Sequence, residues 1–283
     1  ANDFVSADIL VASQPLAFAF TTMRILYLMP LRDDQVTAFA RVHVALWKKR
    51  QADALARFIH EAISQNLPLK ELERNREILL NPLDLLFVCE LIEAGTTPDM
   101  QGILRQQHQR MAADYHAIYQ IDFPDERFSK FVYEARTKGD SDEFGTGGLG
   151  REWEKLQEFQ LARLQVGSVD SGDARQWVMR HPRVCDFYTA VCWCFDQVWE
   201  QDNSTLTRHA GDPRFWGAFY LLLKDLDTRQ RKLVFDKLLR WSAQNQQHTL
   251  LDGLVSEDER RHPTPETPLL RSEAGSQRSQ SSG

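Results

Sequence analysis

The chain has 283 residues, 42% of them hydrophobic, which is enough to bury a substantial core in one large domain or two modest ones. Its 34 basic and 40 acidic residues give a net charge of -6. This balance excludes a protein whose whole surface attracts nucleic-acid phosphates, although it leaves room for a local basic patch.

An apolar stretch at residues 9–31 comes first. A membrane-spanning helix needs about 20 consecutive apolar residues, but Pro15 and Arg24 interrupt this stretch. We therefore expect a pair of short buried helices, with peripheral contact to a membrane or a partner as the alternative. The chain opens with Asp3 and Asp8 where a secretory signal would be positively charged, so we expect no export signal.

Helix-start signals recur through the next hundred residues. A periodic apolar face predicts a long helix over residues 34–65. Further starts are predicted at Pro68, at Asn81-Pro82, at Thr97-Pro98-Asp99 and at Pro124, where capping residues precede or accompany a proline in the first turn. About six helices should form an N-terminal lobe over residues 1–137.

A glycine-rich, acidic segment at residues 138–150 follows, reading K-G-D-S-D-E-F-G-T-G-G-L-G. Its end matches the G-x-G-x-x-G pattern of dinucleotide-binding loops, but acidic residues stand where a buried strand belongs. It also fails as a calcium loop, because Phe144 and Arg151 occupy positions that need oxygen ligands. We predict a linker between two helical lobes.

The C-terminal lobe is predicted over residues 151–255. We expect helices over residues 151–166, up to residue 180 after a turn-rich segment, and over residues 182–201, 215–223 and 228–245. Because we found no sustained period-two alternation, we expect little or no sheet. The predicted fold class is all-α, an irregular multi-helix protein of two lobes.

The composition changes at residue 256 to small polar residues and prolines. We predict a disordered tail over residues 256–283. Its one apolar pair makes it a candidate docking segment, the alternative being a solvated end. The predicted anchor consists of Pro265, Pro268, Leu269, Leu270 and Arg271.

The sequence contains no residue pattern that clearly indicates catalysis or metal binding. Cys185, Cys192 and Cys194 lie close together in the sequence and could suggest a metal site. On one helix Cys185 and Cys192 share a face, but Cys194 lies about 200° round from Cys192, so the three thiols do not converge on one ion. His108 and His116 are eight residues apart, too far to ligate one ion, and no serine lies in G-x-S-x-G. We predict no catalytic residue, cofactor or metal, and a reduced, cytoplasmic protein.

The aromatic load suggests how such a protein could act. Tryptophans beside polar residues, as at Trp153, Trp177, Trp199 and Trp241, are candidates for surface anchors. We therefore predict a non-catalytic helical adaptor or scaffold subunit that binds other proteins.

Two alternatives remain at this point. A nucleic-acid-binding protein would use a basic stripe on the last long helix, although interleaved acidic residues also suit an ordinary solvated face. The stripe consists of Arg229, Arg231, Lys232 and Arg240. The second alternative is a helical enzyme whose pocket lies between the lobes, because helical bundles assemble sites from residues distant in sequence.

Overall fold

A computed structural model describes residues 31–44, 49–63, 72, 75, 76, 78–100, 102–139, 143–166, 175–201 and 205–261 of the chain. In these ranges we find eleven α-helices and one small antiparallel sheet. The prediction of a largely helical, irregular fold is therefore confirmed.

The helices and strands have the following bounds along the chain. The helices are α1 (Asp33–Val44), α2 (Lys49–Ala62), α3 (Pro82–Glu93), α4 (Ile103–Tyr119), α5 (Asp125–Lys138), α6 (Gly150–Glu158), α7 (Pro182–Phe195), α8 (Thr205–His209), α9 (Trp216–Asp225), α10 (Thr228–Asn245) and α11 (Thr249–Arg261). The strands are β1 (Glu143–Phe144), β2 (Ala162–Val166) and β3 (Arg175–Met179), in the order β1-β3-β2. A 3-10 turn over Pro213–Phe215 precedes α9.

Two of the predicted helix starts are confirmed. The Asn81 side chain accepts a hydrogen bond of 2.9 Å from the backbone N–H of Leu83, which caps α3 with Pro82 in its first turn. Helix α5 begins directly after Pro124. The predicted helix over residues 34–65 is represented by α1 and α2, and the residues between them lie outside the described part.

The start predicted at Thr97-Pro98-Asp99 is wrong, because α4 begins at Ile103. The Gln106 side chain accepts a 2.6 Å hydrogen bond from the Asp99 N–H and donates one of 3.1 Å to the Thr97 carbonyl. These backbone groups are thus held by a side chain from the first turns of α4 instead of by a helical turn of their own.

The helix predicted over residues 151–166 is also wrong in its second half. Helix α6 ends at Glu158, Gln160 adopts a left-handed backbone with φ of 59°, and the chain turns into β2. Strand β2 pairs with β3 from Ala162 opposite Met179 to Val166 opposite Arg175. The short helix predicted up to residue 180 is therefore strand β3.

The core forms two hydrophobic clusters. The first cluster gathers buried side chains from α1 to the first half of α7, including Met111, Phe128 and Trp153. The second joins the end of α7 to helices α8 to α11. Helix α7 contributes to both, with Tyr188 in the first and Trp193 in the second, so it connects the two clusters.

The described part of the glycine-rich segment packs into the first cluster, where Phe144 and Leu149 are buried. Gly147 has a φ of 56°, and a Cβ there would overlap the Phe131 ring. Close packing and a left-handed turn thus account for this glycine without a phosphate ligand. The domain boundary predicted at residues 138–150 stays a prediction.

The last helix extends beyond residue 255, the last residue before the predicted tail. Helix α11 continues to Arg261, so residues 256–261, placed in the tail by composition, are helical. This stretch has no proline or glycine, and its Glu and Arg residues are good helix formers. The sequence showed only that this stretch is polar, and a polar helix shares that composition with a disordered segment.

Candidate functional site

Helix α10 has strong local signals at both ends. The Asp227 side chain accepts a hydrogen bond of 2.8 Å from the N–H of Gln230, and the Gln230 side chain accepts one of 3.0 Å from the N–H of Asp227. This reciprocal pair is a capping box. At the other end, Gln246 takes a left-handed conformation with φ of 54° and stops the helix.

The inner face of α10 packs on the second cluster through Val234, Leu238 and Ser242, which are buried. Two basic side chains from the rest of the helix bind backbone carbonyls of neighbouring segments. Arg231 donates from Nε to the Leu226 carbonyl at 2.9 Å, and Lys237 donates from Nζ to the Gln201 carbonyl. These two cations help to hold the helix in place.

The opposite side of α10 is its outer face, which we define as Arg229, Lys232, Phe235, Asp236, Leu239 and Arg240. The three cations are exposed, and none of them forms an ion pair with another residue in the described ranges. Leu239 is 58% exposed, and Phe235 beside it is partly buried. The face therefore combines an exposed leucine with unpaired positive charge.

The predicted basic stripe is partly assembled by this arrangement. Arg229, Lys232 and Arg240 lie on one side of the helix, at intervals of three and eight residues. Arg231 lies on another side and is committed to the Leu226 carbonyl. Asp236 stands between the three cations and reduces their net charge.

Other predicted binding segments lie outside the described residues. They are the anchor Pro265, Pro268, Leu269, Leu270 and Arg271, and residues 9–30 of the N-terminal apolar stretch. Leu31, the last residue of that stretch, donates a backbone hydrogen bond of 3.0 Å to Leu80. No described helix is both long enough and apolar enough to cross a bilayer.

The tryptophans proposed as surface anchors are mostly core residues. Trp153, Trp177 and Trp199 are buried, and the first two stack with ring centroids 5.7 Å apart. Only Trp241 is partly exposed, and it packs against the second cluster. The expectation of surface anchors is therefore wrong for three of the four, because polar neighbours in sequence say little about which side of an element faces the core.

The cysteines behave as core residues. Cys89, Cys185 and Cys192 are buried, and Cys194 is partly buried. Burial raises the pKa of Cys192 to about 12 and that of Cys194 to about 11, so neither is a ready nucleophile. We find no group of metal-ligating side chains that converges on one point within the described ranges.

Two buried histidines form polar contacts that the sequence did not reveal. His108 lies between Tyr188 and Asp125, with Nδ1 3.1 Å from the tyrosine hydroxyl and Nε2 2.8 Å from the carboxylate. His209 shares a hydrogen bond of 2.9 Å with the hydroxyl of Tyr133. Both link separate helices through these ring contacts.

His209 makes the stability of the second cluster sensitive to acid. Burial, followed by the nearby Arg208, lowers its pKa from 6.5 to about 4. The unfolded chain therefore takes up this proton first, so the stability contribution is complete above pH 6.5 and is lost as the pH falls towards 4. A shift of this size corresponds to about 3 kcal/mol.

Replacing His209 with Gln should therefore flatten the pH dependence of unfolding. We expect the loss in unfolding free energy between pH 7 and pH 4 to be smaller in the variant by up to about 3 kcal/mol, measured by urea titration. His116→Gln, at an exposed histidine, is the control and should keep the wild-type dependence. An equal loss in His209→Gln and wild type would contradict the assignment.

Comparison with known proteins identified no relative: no protein-family model matches the sequence, and neither the curated proteins nor the solved structures contain a significant match.

Proposed function

We propose that this protein is a cytoplasmic, non-catalytic adaptor or scaffold subunit that binds a partner protein through the outer face of α10. The observation that carries the proposal is Leu239, a large apolar side chain that is 58% exposed among the unpaired cations Arg229, Lys232 and Arg240.

Burial of a leucine against a partner contributes roughly 1.5–3 kcal/mol. Protein interfaces commonly place such an apolar side chain at the centre and charged groups at the rim, where they set specificity and association rate. The outer face resembles this layout, because Leu239 and Phe235 adjoin each other, while Arg229 and Lys232 precede them along the helix and Arg240 follows. It suits a partner with an apolar patch edged by carboxylates.

Binding of nucleic acid is the second candidate, because the same three cations share one face. The first and last are eleven positions apart, or about 16 Å along the helix, which would allow contacts to several phosphates. Asp236 lies among them, and Leu239 offers nothing to a phosphate. The mixture of charge and apolar surface favours a protein partner.

The test is affinity capture of the full-length protein from its native cells, with and without nuclease. We expect near-stoichiometric protein partners that survive nuclease and are lost with Leu239→Glu. Ile121→Glu is the matched control, because Ile121 is 52% exposed at the end of α4, away from α10 in the sequence. It should retain the partners.

Two results would contradict the proposal. If nuclease abolished the recovery, nucleic acid would be the ligand of the outer face. If Leu239→Glu and Ile121→Glu captured the same set of proteins in the same amounts, the outer face would not be the interface.

A further inference from the structure

We propose that the C-terminal segment, residues 262–283, docks on the outer face of α10 in the same molecule and competes there with the partner. The inference rests on the proposed binding role of this face. Its occupant is the Leu269-Leu270 pair with the residues that flank it.

The two surfaces are complementary in their order of charge and apolar groups. In the segment, Leu269-Leu270 has Glu266 three residues before it and Glu273 three residues after it. On α10, the apolar pair Phe235 and Leu239 is flanked by cations on both sides. Burying Leu269-Leu270 on the apolar pair would bring each glutamate towards unpaired positive charge.

Each surface also contains one charge opposite in sign to its other charges, and these two residues can pair with each other. Arg271 is the one cation between the two glutamates of the segment, and Asp236 is the one carboxylate of the outer face. A docked segment can therefore pair every charge near its leucines with an opposite charge on α10. This reciprocity gives the segment a specific register on the helix.

The connection is long enough for docking within one chain. Helix α11 ends at Arg261, eight residues before Leu269. Eight extended residues span about 27 Å, which equals the length of α10 at 1.5 Å per residue over its 18 residues. Helix α11 follows α10 after three residues and packs in the same cluster, so the segment continues from the element that is next to α10 in the chain.

The N-terminal segment is a poorer match for the same surface. Residues 1–30 are more apolar than the C-terminal segment, but their acidic residues, Asp3 and Asp8, both precede the apolar stretch and do not flank it. That segment is followed by Leu31, whose backbone N–H donates a hydrogen bond to the Leu80 carbonyl. The Leu31 side chain packs against the first cluster. Charge and attachment both favour the C-terminal segment.

The experiment measures how accessible the outer face is in the full-length chain. Ala243 is exposed one turn after Leu239, so Ala243→Cys places a thiol at the edge of the outer face. The rate of its modification by a maleimide is followed by peptide mass spectrometry, with the chain otherwise wild type or carrying Leu269→Asp and Leu270→Asp. If the segment is docked in about three quarters of the molecules, the double substitution should raise the rate about fourfold.

Two controls isolate the effect. Gln277→Asp and Gln280→Asp add the same charge beyond the anchor and should leave the rate at residue 243 unchanged. Ile118→Cys, at an exposed position on α4, should react at one rate in every background.

Three results would overturn the proposal. The first is an equal rate at residue 243 with and without the Leu269→Asp and Leu270→Asp substitutions. The second is protection that rises with protein concentration, because docking would then occur between two copies. The third is protection that persists in the double variant, because another segment would then cover the face. None of these measurements uses a partner, so failure of partner capture alone would count against the proposed function and not against docking.

Discussion

Replacing Arg136 with Met should lower the free energy of unfolding by about 3–5 kcal/mol. Arg136 is buried at the contact of α5 with α7, where Nη1 donates to Asp186 at 2.8 Å and Nη2 donates to the Arg214 carbonyl. Its guanidinium also lies 5.0 Å from the centre of the Phe215 ring. The variant leaves the Asp186 carboxylate buried without this guanidinium, which is the main source of the loss.

Lys138→Met provides the matched control in the same helix. Lys138 and Glu134 form an exposed ion pair at 3.6 Å, and such pairs contribute at most about 1 kcal/mol. Urea unfolding followed by circular dichroism measures both variants. A loss below about 1 kcal/mol in Arg136→Met would mean that the Asp186 pair does not hold α5 to α7.

Replacing Gly217 with Ala should destabilise the protein by about 3 kcal/mol, although alanine is the better helix former by about 1 kcal/mol. Gly217 lies in the first turn of α9, where the helix meets α7. An added Cβ would overlap the Asp186 carboxylate and come within 2.5 Å of its Cγ. The methyl group would therefore displace the carboxylate from Arg136.

Gly150→Ala separates this packing effect from helix propensity. Gly150 begins α6, and an added Cβ there meets no atom within 4 Å. We expect this control to be neutral within about 0.5 kcal/mol. Thermal or urea unfolding of the two variants shows whether Gly217→Ala lowers or raises the free energy of unfolding. An increase would show that the Asp186 carboxylate does not pack against α9.

Helix starts could be predicted where the signal is local. The Asn81-Pro82 and Pro124 boundaries, and the residues of α10 from Thr228 to Asn245, were recognisable because capping groups and proline act within a few residues. The start predicted at Thr97 was wrong because Gln106, nine residues later, binds its carbonyl. A contact of that range has no signature in the local sequence.

The sheet illustrates a weaker local signal. Residues 162–166 read A-R-L-Q-V, and the structure buries Ala162, exposes Arg163 and Gln165, and half-buries Leu164 between them. This is the alternation of a strand, but five residues are too few to separate it from an amphipathic helical turn. The antiparallel pairing with β3 makes these residues a strand in the folded protein.

The buried polar pairs could not be predicted at all. Arg136 and Asp186 are 50 residues apart, and Tyr133 and His209 are 76 residues apart. Each side chain looks like an ordinary helix residue in its own segment, and only the packing of α5 against α7 and α8 brings them together. The outer face was half predicted, because the sequence marked its cations but not the exposure of Leu239.

Site-specific photocrosslinking in the native cell is the most direct test of the proposed interface on α10. A photoreactive amino acid is placed at position 239 of the full-length chain, with the same substitution at position 121 as the control. We predict a discrete, nuclease-resistant crosslink to another protein from position 239 and only background from position 121. Identical background at both positions, or a crosslink from 239 only to nucleic acid, would contradict the assignment of the outer face of α10 as a protein interface.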